Sequence, residues 1–471
     1  MRCLACPLGQ RLASLRPSAL RPQLKRDPLG FTRSVGDQHK RPIMRRLASS
    51  IAILLLCART AGAQDILVLR SATVIDGTSA SPRERITIVI RGERIVTVGP
   101  DGSVPIPPQA TVLDATGRWV IPGLVEVHTH STARPRLAQA LALGVTSALV
   151  IAPSDSFLAL GPWSAEPSSA APRLFVTPGG FSGGFPEPFV QGFALERPAS
   201  PSEARRAVDA LTARGARQFK IWHDDGSLWS DTAMRLPTLT RGVLTEIVRA
   251  AHQRKARVYA HAWLARDARA MLDAGVDAII HPVADSVLDP TLLRRFAERG
   301  VATATTWAGI MRIFNRSAFA RRVLADERLL GVLPDSERAA FARDTEPRVK
   351  AEPLWQRLEG HRATVSRNAR ALLDAGAPLA VGSDGPVGLA THLEMELMVE
   401  GGLTPREVLV AATAGGAHLL GLSREIGTVE VGKRADLVVL RSDPLADIRN
   451  AREVEWTIKG GRPFARTPRA P

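Results

Sequence analysis

Residues 121–130 read Ile-Pro-Gly-Leu-Val-Glu-Val-His-Thr-His. The Pro-Gly pair signals a turn, and the apolar Leu124-Val125-Glu126-Val127 run behind it reads as a short buried strand. Strand side chains alternate faces with a period of two, so His128 and His130 leave the strand end on the same side. Two imidazoles so placed can reach one metal ion at ~2.0–2.1 Å. Taken alone, the pair fits better as two strand-end histidines bonded to loops and water, because a short motif acquires meaning only from its context.

Outward from this stretch, residues 121–423 alternate apolar strands with amphipathic helices. Strands are predicted at Val145–Ile151, Arg173–Thr177, Gln218–Trp222, Arg257–His261, Ala278–His281, Val301–Thr306 and Pro378–Asp384. Helices are predicted at Pro135–Leu143, Ser202–Arg214, Leu239–Gln253 and Arg266–Ala274, and Gly144, Gly275 and Gly300 stop helices before the next strand. With the first strand there are eight, which fits an α/β fold of the (β/α)8 TIM-barrel type. An open doubly wound sheet is disfavoured, since no Gly-rich phosphate loop follows any strand. Residues ~307–365 form a helical, Arg-rich insertion carrying Arg312, Arg316, Arg321, Arg322, Arg338, Arg343 and Arg348. It fits both a solvated insertion and a lid over the barrel mouth.

Both flanks of the barrel have a different texture. Residues 64–120 give short strands punctuated by Gly77, Gly92, Gly102 and Gly117, and residues 424–465 return to the same pattern. The two ends therefore read as one discontinuous β domain.

The 471-residue chain carries a formal charge of +16, which raises the question of nucleic acid. Residues 1–63 hold twelve Lys and Arg against Asp27 and Asp37, so the leader supplies most of that excess. The remainder carries no basic stripe, and nucleic-acid binding loses its support. From Met44 two arginines precede an apolar run and Ala61-Gly62-Ala63, the pattern of a secretory signal peptide cut between Ala63 and Gln64. The run is too short to span a bilayer, so no stable membrane insertion is expected after its removal. Leu56, bulky before Cys57, argues against a lipoprotein anchor. Residues 1–43 read as an upstream extension. Cys3, Cys6 and Cys57 all precede the cut, so the mature chain has neither disulfides nor thiolate chemistry and suits a periplasmic or secreted location.

Chemically useful residues gather at strand ends, where such barrels keep their active sites. His128 and His130 end the first strand and Lys220 lies in the fourth. His261 ends the fifth, His281 the sixth and Asp384 the eighth. Each alone fits a structural role; jointly they point to one mouth. With the Pro-Gly-Leu-x-x-x-His-x-His entry and the tail Gly427-Thr-Val-Glu-Val-Gly-Lys-Arg-Ala-Asp-Leu-Val-Val-Leu440, the chain resembles the amidohydrolase superfamily of metal-dependent hydrolases, in its prolidase/imidazolonepropionase-like branch. The resemblance covers nearly all of residues 65–463. It implies a composite β-sandwich from both chain ends around a hydrolytic barrel.

The resemblance further implies that His128, His130 and Asp384 hold one metal and His261 and His281 a second, with carboxylated Lys220 bridging them. Two divalent ions are implied, zinc suiting the ligands, though manganese, iron or cobalt would fit. A metal-activated hydroxide would attack an amide carbonyl, with Asp384 as general base and then acid. Lys220 has a competing reading as a surface lysine, but it follows Phe219 in an apolar strand; without it the site becomes mononuclear. Leu264 stands where deaminases of the superfamily place a glutamate, which argues against deamination. His223, Tyr259 and His392 are candidate substrate contacts. Each has a bland alternative: a solvated loop beside Asp224 and Asp225, a barrel-core tyrosine, and a helix cap. The Gly179–Gly184 loop is a second candidate lid.

The expected activity is cleavage of an amide C–N bond in a small substrate such as a dipeptide or N-acyl amino acid. The alternatives are a one-metal cyclic-amide hydrolase or lactonase, and a periplasmic binding protein on an inactive barrel. Homo-oligomerisation is left open.

Overall fold

The computed structural model describes residues 65–184, 192–228, 235–345 and 352–466, within a unit spanning Ala63–Pro471. The expected signal peptide and the three cysteines lie outside the described residues. Five strands open the described chain: β1 (Ile66–Val74), β2 (Arg83–Arg91), β3 (Arg94–Pro100), β4 (Thr111–Asp114) and β5 (Trp119–Pro122). Ten follow in the middle: β6 (Leu124–Thr129), β7 (Val145–Ala152), β8 (Arg173–Pro178), β9 (Gly180–Ser182), β10 (Leu195–Glu196), β11 (Gln218–Trp222), β12 (Arg257–His261), β13 (Ala278–Ile280), β14 (Ala302–Ala304) and β15 (Leu379–Ala380). The chain ends in β16 (Leu437–Leu440), β17 (Val454–Lys459) and β18 (Arg462–Ala465).

The two chain ends share one eight-stranded sheet in the order β18-β17-β16-β5-β1-β2-β3, with β4 also on β1. The joint is antiparallel pairing of β16 with β5, Val438 opposite Ile121. β6 begins two residues after β5, so this sheet hands the chain directly to the His-x-His strand.

The middle strands run parallel in two ladders, β6-β7-β8 and β10-β9-β11-β12-β13-β14-β15. Every residue of β7 is buried, the near-continuous apolar run of a parallel strand covered on both faces. β8 passes into β9 through Gly179 at φ 54°, where a Cβ would lie 1.8 Å from the Ala194 carbonyl oxygen. Only glycine fits this bend, and it transfers the chain from one ladder to the other. The far strands also approach: the Val127 N–H donates to Val381 O at 3.0 Å, and Thr129 bridges Gly385 in parallel. The helices between strands bury one face; Arg241–Gln253, for example, buries Val243, Leu244, Ile247, Val248 and Ala251 against the core. The fold is TIM-barrel-like, with helices alternating with parallel strands.

Three strands stop earlier than predicted. β13 ends before His281, β14 before Thr306 and β15 before Asp384, and these three residues adopt φ of 108°, 49° and 48°. A left-handed residue turns the chain out of the ladder, so the hydrogen-bonded strand ends where the functional side chain begins.

The insertion is helical: Trp307–Phe314, Arg316–Leu324, Glu327–Leu330 and Asp335–Arg343 follow β14, and Glu352–Asp374 leads into β15. It is packed rather than solvated. Trp307, Ile310, Met311, Phe319, Val323 and Leu329 form a core with Trp263, Leu264, Leu389 and Leu393 of the barrel side. Among the described residues no helix is long and apolar enough to cross a membrane.

Candidate metal centre

β6 carries His128 into full burial and His130 to a partly open position, and both face Asp384. Asp384 Oδ1 lies 3.4 Å from His128 Nε2 and 3.1 Å from His130 Nε2. The Asp384 N–H donates to His128 O at 2.7 Å, which fixes the two strand ends side by side. His281 completes a cluster with His128 and Asp384 whose ligand atoms all lie within 4.8 Å of one another. His261 stands next to it, its ring centroid 4.3 Å from that of His281. Lys220 is fully buried and its Nζ has no hydrogen-bond partner among the described residues. The six residues predicted as ligands therefore belong to one neighbourhood at the strand ends, with Lys220 in the strand body beneath.

The tautomers are set from outside the cluster. His130 Nδ1 donates to Ile151 O at 2.9 Å, which leaves its lone pair on Nε2, toward Asp384. His261 Nε2 faces Asp224 Oδ2 at 3.2 Å, and His281 Nδ1 pairs with Thr306 Oγ1 at 2.8 Å. Burial holds His128 and His281 well below the usual imidazole range, and His261 is lowered for the same reason. Neutral imidazoles are the form that ligates. Burial pushes the Asp384 carboxyl up, but its imidazole neighbours and the Arg312 guanidinium outweigh burial and hold it well below the usual carboxylate range. Burial brings Lys220 down to about 7, opposed by the Asp384 charge.

This chemistry fits a metal. Among the described residues neither ring nitrogen of His128 has a hydrogen bond, and a buried polar atom with no partner costs about 1–3 kcal/mol unless something supplies one. Imidazole nitrogens and a carboxylate oxygen are the donor set that zinc and its neighbours accept. Aromatic rings wall the cluster: Trp263 stacks on His281 at 4.7 Å, Trp222 on His130 at 6.2 Å, and Phe193 meets His130 edge-on at 5.4 Å.

The sequence profile of the Amidohydrolase family matches residues 119–463. The chain belongs to the amidohydrolase family. As a member it is a metal-dependent hydrolase of carbon–nitrogen bonds. It is 25% identical to an imidazolonepropionase of Symbiobacterium thermophilum over 410 residues, covering 79% of this chain and 85% of that one. Against an ochratoxinase of Aspergillus niger it is 27% identical over 267 residues, 56% of this chain and 49% of the relative. The solved A. niger ochratoxinase superposes with a TM-score of 0.67 at 20% identity, over 85% of this chain and 96% of that one. A Xaa-Pro dipeptidase with bound methionine gives 0.68 at 22% identity, over 85% and 100%. At those identities the two structures speak for the fold alone.

Of the candidate substrate contacts, this amidohydrolase brings only His223 to the cluster's edge. His223 is buried beside Asp267, Nε2 to Oδ1 3.7 Å, and its N–H donates to His261 O at 3.3 Å. It is not the solvated loop residue of the bland reading. Tyr259 is buried on the same strand face as His261, but its hydroxyl donates to Gln218 Oε1 at 2.6 Å, at the opposite end of β11 from the histidines. His392 is buried in the helix Leu389–Glu400 and its Nε2 donates to Leu143 O at 2.8 Å. Burial holds it neutral, down to about 3. Tyr259 and His392 thus spend their polar atoms on the scaffold.

Two carboxylates that sequence reasoning passed over organise the site. Glu126, fully buried, accepts from the His128 and Ser383 N–H groups, each at 2.8 Å, and from Thr391 Oγ1 at 2.7 Å. It clamps β6 to the strand-eight end, and its signal was available: a glutamate inside an apolar strand. Glu394 accepts from the Ala308 N–H at 2.5 Å and from the Thr305 hydroxyl, fixing the turn that carries Thr306 to His281. Nothing near it in sequence announces this role.

Proposed function

We propose that this chain is an exported amidohydrolase that cleaves the amide bond of a small substrate, a dipeptide or N-acyl amino acid. The observation that carries the reading is Lys220: a fully buried amine with no acceptor among the described residues, beside neutral histidines and an ionised aspartate. An ammonium left there is costly, whereas a neutral amine can add to CO2, lose a proton and become a carbamate with two ligating oxygens. His128, His130 and Asp384 would hold one ion, His261 and His281 the other, and the Lys220 carbamate both. Divalent ions bound there would supply an activated water and polarise the scissile carbonyl.

The chain's own residues do the rest. Asp384, ionised and oriented by His128 and His130, accepts the proton of the attacking water and delivers it to the leaving nitrogen. Trp222, Trp263 and Phe193 shape the apolar side of the cleft and exclude bulk water. β6, β7, β8 with β9 as a single bent strand, β11, β12, β13, β14 and β15 are inferred to close into one (β/α)8 barrel, the two-residue β10 lying outside the count. Residues 64–120 and 424–465 would make one composite β-sandwich domain around barrel residues 121–423. Export rests on the signal-peptide pattern of residues 44–63.

A second reading has its own support, because similarity to an imidazolonepropionase runs through 410 residues. It is a cyclic-amide hydrolase with one metal. Elemental analysis of the chain from Gln64, in bicarbonate buffer, separates the two when combined with a panel of dipeptides, N-acyl amino acids and cyclic amides. Two ions per chain, falling when Lys220 is replaced, with linear amides cleaved, support the first. One ion regardless of Lys220, with cyclic amides cleaved, supports the second. No metal after resupply overturns both.

A further inference from the structure

The insertion's arginines are not equivalent. Arg316 pairs with Asp344 at 2.5 Å, and Arg321 donates to Thr345 O at 2.9 Å. Arg322 pairs with Glu396 at 3.0 Å and Glu400 at 2.7 Å, and Arg338 donates to Leu330 O at 2.7 Å. These guanidiniums tie the insertion to itself and, through Arg322, to the helix Leu389–Glu400. Arg312 makes no hydrogen bond or ion pair among the described residues.

Its position explains what it could meet instead. Arg312 lies on the helix Trp307–Phe314, which starts directly after Thr306, the partner of His281. That helix touches the strand-eight end through Gly309, where a Cβ would lie 2.6 Å from Asp384 Cβ and 2.7 Å from Asp384 O. Residues three apart share a helix face. Arg312 is therefore one turn beyond the contact with Asp384, on the same face, at the rim of the cluster. The Asp384 carboxylate is its leading electrostatic partner, with Arg316 repelling it, yet the two do not form an ion pair. Asp384 is already shared between His128 and His130. Arg312 as a residue is exposed although its neighbours partly desolvate it, so a ligand entering the mouth can reach it.

We infer that Arg312 is a specificity residue that binds the free carboxylate of the substrate and so selects amides carrying a C-terminal acid. The inference rests on the hydrolase reading of the neighbouring cluster. A planar guanidinium matches a carboxylate through two parallel N–H donors, which a lysine ammonium cannot reproduce. An amide or ester in place of the acid would lose that pairing.

The test is ligand-observed NMR binding of a mixture of N-acetyl amino acids and the corresponding C-terminal amides to metal-loaded protein. Wild type is expected to favour the acids by about 10- to 100-fold, the worth of a charge-assisted hydrogen bond. R312Q should abolish that preference while binding amides unchanged, and R312K should retain only part of it. Absence of an acid preference in wild type, or its persistence in R312Q, overturns the inference. Hydrolysis of the same mixture is followed in parallel. An acid preference that depends on Arg312 without any turnover would sink the hydrolase assignment and leave the carboxylate site standing. Turnover indifferent to the acid would do the reverse.

Discussion

Among the described residues two lysines are completely buried, and they sit in opposite circumstances. Lys459, on β17 of the end sheet, donates from Nζ to Ser164 O at 2.9 Å, Ser169 O at 2.8 Å and Ala171 O at 2.9 Å. Three donors meet three carbonyls, and the segment before β8 is stitched to the end sheet. Lys220, on β11, has no acceptor among the described residues; its Nζ lies 5.2 Å from the Trp222 ring. Burial depresses both, Lys459 to about 8 and Lys220 to about 7. Burial and a lowered pKa therefore do not distinguish a structural lysine from a functional one. Satisfaction of the donors does.

The comparison breaks most visibly by mutation. Lys220→Met should reduce turnover by at least about 1000-fold, as loss of a member of a catalytic unit does, while leaving the stability of the metal-free protein equal or higher, because an unpaired buried amine is replaced by an apolar chain of similar length. Lys459→Met should invert that pattern. It leaves three buried carbonyls without a donor, at a cost of about 3–5 kcal/mol in stability, with turnover per folded molecule unchanged. Urea unfolding and steady-state rates on both variants decide the matter. Equal stability losses in the two would show that Lys220 is satisfied and structural, and would remove the main support for the carbamate.

The same contrast is sharpened at Gly309, where scaffold and site touch. A methyl there would collide with Ser383 O and Asp384 O, each 2.7 Å away, and both belong to the strand-eight end. Gly309→Ala should cost about 1–3 kcal/mol as overpacking. It should lower kcat about 10- to 100-fold by displacing Asp384, since small misplacements of a catalytic group have effects of that size. A variant that lost stability but kept kcat would mean the insertion helix only covers Asp384 and does not position it.

How far the sequence discloses these roles depends on the range of the interaction. The convergence of His128, His130, His261, His281 and Asp384 was legible because each stands at or just past the end of an apolar run, and the ends of successive parallel strands gather on one side. Lys220 was legible because a charge inside an apolar strand is locally anomalous, and Glu126 carried the same signal unread. The helix stops at Gly275 and Gly300 were equally local. What the sequence does not carry is the partner of a side chain reaching across the fold. His392 meets Leu143 O and Glu394 meets Thr305, pairs separated by 249 and 89 residues. Tyr259 shares the face predicted for it, but the direction of its hydroxyl depends on Gln218 across the ladder. The left-handed turns at His281, Thr306 and Asp384 were invisible for a related reason. Residue type does not favour them; the surrounding packing imposes them.

A third buried cation gives the smallest and most easily isolated effect. Arg452 is 2% exposed and paired with Asp326 at 2.5 Å and with Glu396, a satisfied charge like Lys459 but with ionised partners. Burial alone would raise Asp326, but hydrogen bonds from Arg328 and Arg452 hold it well below its ordinary 3.8. With the folded-state value depressed, the unfolded chain takes up the proton first as pH falls. The pair's contribution is therefore complete above about pH 4 and is lost as the pH drops through that value toward the folded one. Asp326→Asn should lower stability at pH 7 and flatten the acid limb of the stability curve between about pH 4 and 2, with kcat unaltered. Lys459, whose acceptors are uncharged carbonyls, should contribute no slope in that window. If the slope survives in Asp326→Asn, the acid sensitivity belongs to other carboxylates, and Arg452 is held by Glu396 rather than by Asp326.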